Sequence, residues 1–469
     1  MKEAIYNSDL AKALNLNDLK KIFADLNFES LFFKRLAPND NSKNQPYLAR
    51  HLTDLSFLPV GELVGSTSTS KKRTKHNIKF SAPINFYWLS PKKEVFKAPK
   101  AQVIYYPQYP EVRLSGFLKG AAVNISDLMD PYKNGRSEGR VLFLGVRKND
   151  VFAYLASGDS CISNEINSKN LLLQNGMFEQ INLNRSILNE VNEQRIRYEP
   201  VQSKLYLLKE LQRIHKLGWI NSKRLNKHGE AIEYTATNGG GYTLEAELGI
   251  TPNGSQDPDF KGWEVKQYGV AKFDSKASKA LTLMTPEPDG GIYKESGVID
   301  FMNQYAYPDK KIENRLNFNG KHIANKVNEK TKLEFVIHGF DSVGQKITDP
   351  KGYIGLVDSN GKIAASWSFA KLITHWKNKH NKAVYIPSIS RIESNRKQYS
   401  YSRIVSLFEG CNINKLLSAF TCSVIYYDPG IKLENIDTDK PKSKRRSQFR
   451  VKLNDLNKLY EKNENLDIL

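Results

Sequence analysis

The densest cluster of chemistry-bearing side chains lies in residues 239–268, GGGYTLEAELGITPNGSQDPDFKGWEVKQY. Trp263, Glu264, Val265 and Lys266 form a short run whose composition predicts a strand. Successive strand side chains alternate faces, so Glu264 and Lys266 share one side while Trp263 and Val265 share the other. Asp259 follows Pro258 at the start of an expected β-hairpin. A glycine-containing turn would let it approach Glu264 from the paired strand. Glu245 belongs to a short helix expected to start at Thr243, after a three-glycine turn, and Pro252, Asn253 and Gly254 then reverse the chain.

These residue types suit hydrolysis of a phosphodiester. A hard divalent ion such as Mg²⁺ takes carboxylate oxygens and keeps several waters, so Asp259 and Glu264 could share one ion. Glu245 would complete that shell or hold a second ion. Such an ion stabilises charge on phosphoryl oxygens and acidifies a bound water. Lys266 beside it would orient or deprotonate the attacking water and offset charge on the pentavalent phosphate. The same Asp, Glu and Lys spacing also fits an exposed hairpin with solvated charges. The nearby Glu245, the glycine turn and the basic chain favour the catalytic reading.

The elements that must hold these residues belong to a long chain. At 469 residues it exceeds one ordinary core, and 40% hydrophobic and 11% aromatic content supports folded domains throughout. Residues 9–26 carry leucines, Ile22 and Phe23 near helical spacing and predict one amphipathic helix. Short β-rich runs at 30–33, 84–89, 101–106, 139–146 and 151–155 then predict a small sheet or barrel. A basic loop, STSTSKKR at 66–73, lies among them. Residues 171–217 read as helical and charged, a connector into the second domain. The remainder mixes strands near 333–338, 353–357, 383–386 and 423–427 with helices, an α/β or α+β pattern. The segment DTDKPKSKRRSQFR at 437–450 reads as an exposed basic loop. The expected division is residues 1–170, a linker at 171–200, and residues 201–469.

Seventy Lys and Arg against fifty Asp and Glu give a net charge of +20, a field that favours polyanions such as nucleic acid. Cys161, Cys411 and Cys422 are too sparse for a disulfide framework or a metal finger and fit a reducing compartment. The start lacks a signal core and no apolar run is long enough to span a membrane, so a cytoplasmic location is expected. The eight histidines show no ligand spacing, with His375 and His380 at i, i+5 on an expected helix. Gly239 to Gly241 lack the Gly-Lys-Ser/Thr ending of a phosphate-binding loop, which argues against a nucleotide cofactor.

On the motifs Thr243, Leu244, Glu245, then Pro258, Asp259, Phe260, then Glu264, Val265, Lys266, the chain resembles the MvaI/BcnI restriction endonucleases, relatives of the mismatch-repair nickase MutH. The likeness continues through Trp367 to Phe369, residues 383–391, Tyr399 to Tyr401 and Phe449 to Val451. It implies a PD-(D/E)xK nuclease of MutH-like fold, with Glu245, Asp259, Glu264 and Lys266 as its catalytic set and the three acids as its Mg²⁺ ligands. It further implies a Type II, site-specific enzyme acting on double-stranded DNA as a monomer that nicks each strand in turn. Two histidines that help such enzymes read bases are replaced here by residues 443–448, SKRRSQ. Arg445, Arg446 and Arg450 remain able to pair with guanine, or else touch only phosphates. Lys223 and Arg224 join the expected DNA-binding set.

Residues 30–60 are similar to the N-terminal effector domain of EcoRII-type enzymes, a mainly β pseudobarrel of the plant B-three type. That likeness places Lys34, Arg35 and Asn39 on one DNA-gripping arm and Arg113 and Lys119 on another, though Lys34, Arg35 and Arg113 also fit ordinary solvated charges beside a sheet. Together the two halves resemble UbaLAI-type enzymes, in which effector DNA modulates cleavage (a Type IIE-like behaviour). Two further functions fit the same residues: a strand-nicking repair or modification-dependent nuclease, and a DNA-binding protein without catalysis.

Overall fold

The computed structural model describes residues 6, 8–39, 44–68, 77–123, 125–168, 178–183, 199–252, 258–274 and 280–469. The chain divides into two compact units, Met1–Tyr206 and Leu207–Leu469.

In the first unit the expected single helix is two, Asp9–Ala13 and Leu16–Asp25. Asn15 breaks the pattern because it closes a capping box with Asp18, each side chain bonding the other's backbone N–H. Leu16, Leu19, Ile22 and Phe23 face inward from the second helix. Two sheets follow. The larger runs Glu179–Asn182, Ser30–Arg35, Val141–Arg147, Asp150–Ala156, Asn85–Leu89, Val95–Lys97. The smaller runs Tyr47–Ala49, Glu111–Ser115, Gln102–Tyr106, Ile78–Pro83, Val64–Thr67. One pairing in the larger sheet, between Asp150–Ala156 and Asn85–Leu89, is parallel. Each expected strand of this region is present, with shifted ends.

The connector differs from expectation. Glu179–Asn182 is a strand on the edge of the larger sheet, where Ile181 pairs with Leu31. Helix begins only at Glu199 and runs to Lys216. The rest of the expected linker, 171–177 and 184–198, lies outside the described residues, as do Asn253 and Gly254 of the reversing turn and residues 69–73 of the basic loop.

The second unit is α/β. Its elements near the site are α1 (Gly239–Glu247), β1 (Glu264–Gly269), α2 (Phe369–Lys379), β2 (Lys382–Glu393), β3 (Arg396–Tyr401) and β4 (Ile404–Cys411). The twelve-residue β2 organises them. Its first half pairs parallel with β1 on one side and antiparallel with β4 on the other, and its second half pairs antiparallel with β3. The sheet continues from β4 to Tyr460–Asp467. Leu211, Ile214, Leu244, Trp263, Val265, Val384, Ile386 and Tyr401 form the apolar core between this sheet, α1 and the Glu199–Lys216 helix. Basic residues 442–444 form a short strand rather than part of a loop, and Arg450 sits on the strand Phe449–Lys452.

Candidate active site

The glycines ahead of Glu245 are not a turn before the helix but its first turn. Glycine has poor helix propensity, so tertiary packing must override it. A Cβ on Gly239 would lie 2.6 Å from Ser222 Oγ, and one on Gly240 would lie 2.9 Å from Gln267 Oε1. Tyr401 Oη donates to the Gly240 carbonyl at 2.8 Å. Behind the helix, the buried Thr243 hydroxyl accepts from Lys223 N at 3.1 Å. The bare helix face is therefore what brings α1 onto β1 and β3.

The expected hairpin shrinks to one bridge, Phe260 with Trp263, around Lys261 and Gly262, both with positive φ (47° and 82°). Asp259 precedes that turn and folds back, so that its Oδ2 accepts from Val265 N at 3.0 Å. The partner strand of β1 is instead β2, more than a hundred residues downstream, with Lys266 opposite Tyr385. Strand alternation holds: Trp263 is fully buried, and Lys266 Nζ meets Glu264 Oε1 at 2.5 Å.

Glu264 is only 1% exposed, and its Oε2 has no hydrogen-bond partner. Burial raises the Glu264 carboxyl above its usual range, Lys266 opposes that, and Asp259 reinforces it. Glu245 is raised as well, by burial first and then by repulsion from Asp259. Burial works against the Lys266 ammonium, but Glu264 and Asp259 outweigh it and the net shift is upward.

A cleft of about 830 Å³ opens at this corner, lined by Glu245, Asp259, Lys266, Thr282, Tyr385 and Arg450 among others. Glu264 lies just behind its wall. Among the described residues, no group of three His, Cys, Asp or Glu converges as a ready-made metal cage. Two acids with an orphaned buried oxygen still fit a small hard cation, because Mg²⁺ needs only one or two carboxylates and retains its waters. An unpaired carboxylate oxygen in an apolar setting is costly, and a cation offsets that cost.

Arg450 is the one expected DNA-contacting residue on this cleft. It pairs with Asp428 at 2.9 Å and donates to Ala280 O at 2.8 Å, which aims a planar donor group along the wall. Arg445 and Arg446 are exposed and do not line the cleft. Lys223 is tied to Glu247 at 2.5 Å, and Arg224 lies over the Tyr234 ring at 5.3 Å.

In the first unit, Lys34 and Asn39 are turned inward rather than held out on an arm. Lys34 is 6% exposed and donates to Leu48 O at 2.7 Å, and Asn39 is 3% exposed and donates to Met129 O at 2.6 Å. Arg35 is half-buried and donates to Ile166 O at 2.6 Å. Arg113 pairs with Glu111 at 2.6 Å and stacks over Tyr47, while Lys119 is exposed.

Tyr385, Lys397, Tyr399 and Thr282 also line the cleft and were not among the expected site residues. Tyr399 and Lys397 follow from strand alternation once β3 is known, but Tyr385 reaches Lys266 only through a long-range parallel register that leaves no local signal. His380 is buried with its Nδ1 at 3.2 Å from Tyr460 Oη, stacked on Trp376, and burial holds it well below the usual histidine range.

No helix among the described residues is long and apolar enough to cross a membrane. The model of the MvaI/BcnI restriction endonuclease family matches residues 208–460, just over half of the chain. No curated protein matches. Among solved structures, "Restriction endonuclease MvaI-cognate DNA substrate complex" is 21% identical with a TM-score of 0.43, over 56% of this chain and 98% of that one. "Restriction endonuclease MvaI in the absence of DNA" is 19% identical with a TM-score of 0.33, over 56% of this chain and 97% of that one.

Proposed function

The chain belongs to the MvaI/BcnI restriction endonuclease family, and on that premise we propose that it is a Mg²⁺-dependent enzyme hydrolysing phosphodiesters of double-stranded DNA at a short specific site. The observation that carries this reading is the Lys266–Glu264 pair, set against Asp259 and Glu245 at the edge of one open cleft.

Asp259 and Glu264 would hold the cation, and Glu245 faces the same cleft from α1. Mg²⁺, when bound, supplies Lewis acidity toward the phosphoryl oxygens and acidifies a coordinated water. Lys266, paired with Glu264 on the cleft wall, orients or deprotonates the attacking water and offsets charge on the phosphorane. Asp259 is fixed for its task by the Val265 N–H, which leaves its other oxygen available. Arg450, braced by Asp428, is placed to read a guanine edge or grip a phosphate beside the cut. A single such site attacks one phosphodiester at a time, so a monomer would nick each strand in turn. In the first unit, Arg35, Arg113 and Lys119 are the residues left for contact with effector DNA, since Lys34 and Asn39 are buried.

Supercoiled plasmid incubated with the full chain and Mg²⁺ tests the reading. Open circles followed by discrete fragments are expected, with both lost in Lys266→Ala. Intact plasmid at every salt concentration and sequence tried, or undiminished cutting by Lys266→Ala, would overturn it.

A further inference from the structure

The β2–β3 hairpin leaves the cleft and ends in solvent. Its register pairs Ser388 with Tyr401, Ser390 with Tyr399 and Ile392 with Lys397. Residues two apart on a strand share a face, so these six side chains form one ribbon. Ser388, Ser390, Tyr399 and Lys397 of that ribbon line the cleft. The next position outward on the same face is Ile392, which is 76% exposed.

The tip is built to be stiff. Ser394 and Asn395 form the two-residue connection, and both have positive φ (48° and 61°), as a type I′ turn requires. Arg391 stacks over Trp219 at 4.3 Å, while Arg396 and Lys397 supply cations on the returning strand. At the base of the hairpin, Tyr399 is 5% exposed and its hydroxyl has no hydrogen-bond partner, although it borders the cleft.

We propose that this hairpin is a DNA-contacting finger, and the proposal rests on the reading of the cleft as the site of strand scission. The Tyr399 ring forms the wall beside the reacting phosphate. Lys397 holds a phosphate farther along the duplex on this face, Ile392 packs against sugar and base edges in the groove, and Arg396, on the opposite face, reaches the backbone across the groove. A stiff ribbon with an apolar end and flanking cations suits a groove, where apolar side chains wedge at base steps while cations neutralise the backbone. Charge complementarity and continuity with the cleft select the duplex as occupant, because a purely apolar partner gives the flanking cations nothing to pair with.

The test measures binding to cognate duplex by fluorescence anisotropy, in the full-length Lys266→Ala background so that nothing is cut. Ile392→Asp is expected to weaken binding by about tenfold or more, and Ile392→Leu to restore it. Arg396→Ala and Lys397→Ala are each expected to lower the slope of log affinity against log salt by about 0.9. Shortening the duplex until it no longer reaches the tip should abolish the Ile392→Asp effect. Ile392 and Arg396 are exposed and Lys397 is half-buried at the cleft, and unchanged melting temperatures separate lost contact from lost fold. If the wild type cuts DNA while these variants bind with unchanged affinity and salt slope, the finger is wrong and the cleft reading survives. If the wild type cuts nothing and the Lys266→Ala chain binds no DNA, the underlying reading has failed.

Discussion

Arg140 in the first unit and Glu264 in the second are both buried charged side chains, and they are matched in opposite ways. In the first, Arg140 is 1% exposed and its guanidinium donates to three carbonyls: Ser137 at 3.1 Å, Leu128 at 2.5 Å and Ala37 at 2.8 Å. Burial lowers it to about 10, so it remains a cation at neutral pH. Lys34 is likewise sealed in, with the Leu48 carbonyl as acceptor. In the second unit Glu264 is as deeply buried, yet one oxygen is tied to Lys266 and the other meets no donor. Arg140, with three carbonyls on its guanidinium, serves as a clamp, whereas the half-matched Glu264, just behind the cleft wall, can take a further partner there.

The sharpest way to break that contrast is to neutralise the half-matched charge. Glu264→Gln is expected to lower cleavage by more than about a hundredfold with only a small change in melting temperature, because the desolvated carboxylate is removed and the Lys266 ammonium, 31% exposed, can be hydrated instead. A fall in thermal stability matching the loss of activity would show that Glu264 is structural like Arg140. The converse change is Arg140→Met. It leaves three buried carbonyls unmatched and should cost about 3 kcal/mol of first-unit stability by denaturant unfolding, with cleavage surviving below the transition. Stability within about 0.5 kcal/mol of the parent would remove Arg140 from the role of clamp.

The smallest effect expected is at Lys34. Burial lowers its ammonium from 10.5 to about 8, so the favourable contribution of this group is present above pH 10.5 and is lost as pH falls through 8. At pH 7 the buried cation is a liability only partly offset by its hydrogen bond. Lys34→Met should therefore stabilise the first unit by about 1 kcal/mol and flatten its stability between pH 10.5 and 8. DNA affinity should not change. A variant that loses affinity instead would return Lys34 to the binding surface.

The sequence discloses chemistry better than placement. Glu264 and Lys266 were legible because strand alternation is local and geometric. Asp259 was legible as a neighbour, although a single bridge replaces the hairpin imagined for it. The glycines at 239–241 were misread because their propensity for turns is local, whereas the close approach of Ser222 to Gly239 and of Gln267 to Gly240 is not. Lys34 and Asn39 were misjudged for a related reason. A polar residue on a strand has no mark saying whether it faces water or a carbonyl, and only the sheet it joins decides. Tyr385 and Tyr399 entered the site through registers set between distant strands.

The three glycines at the head of α1 have one more consequence. Glycine is a poor helix former, so this turn has little rigidity of its own and borrows it from Tyr401 and from the Lys223 backbone that bonds Thr243. The carboxylate of Glu245 is thus mounted on a segment that its neighbours keep wound. Substituting those neighbours is therefore expected to disturb the position of Glu245 before it disturbs the sheet beneath.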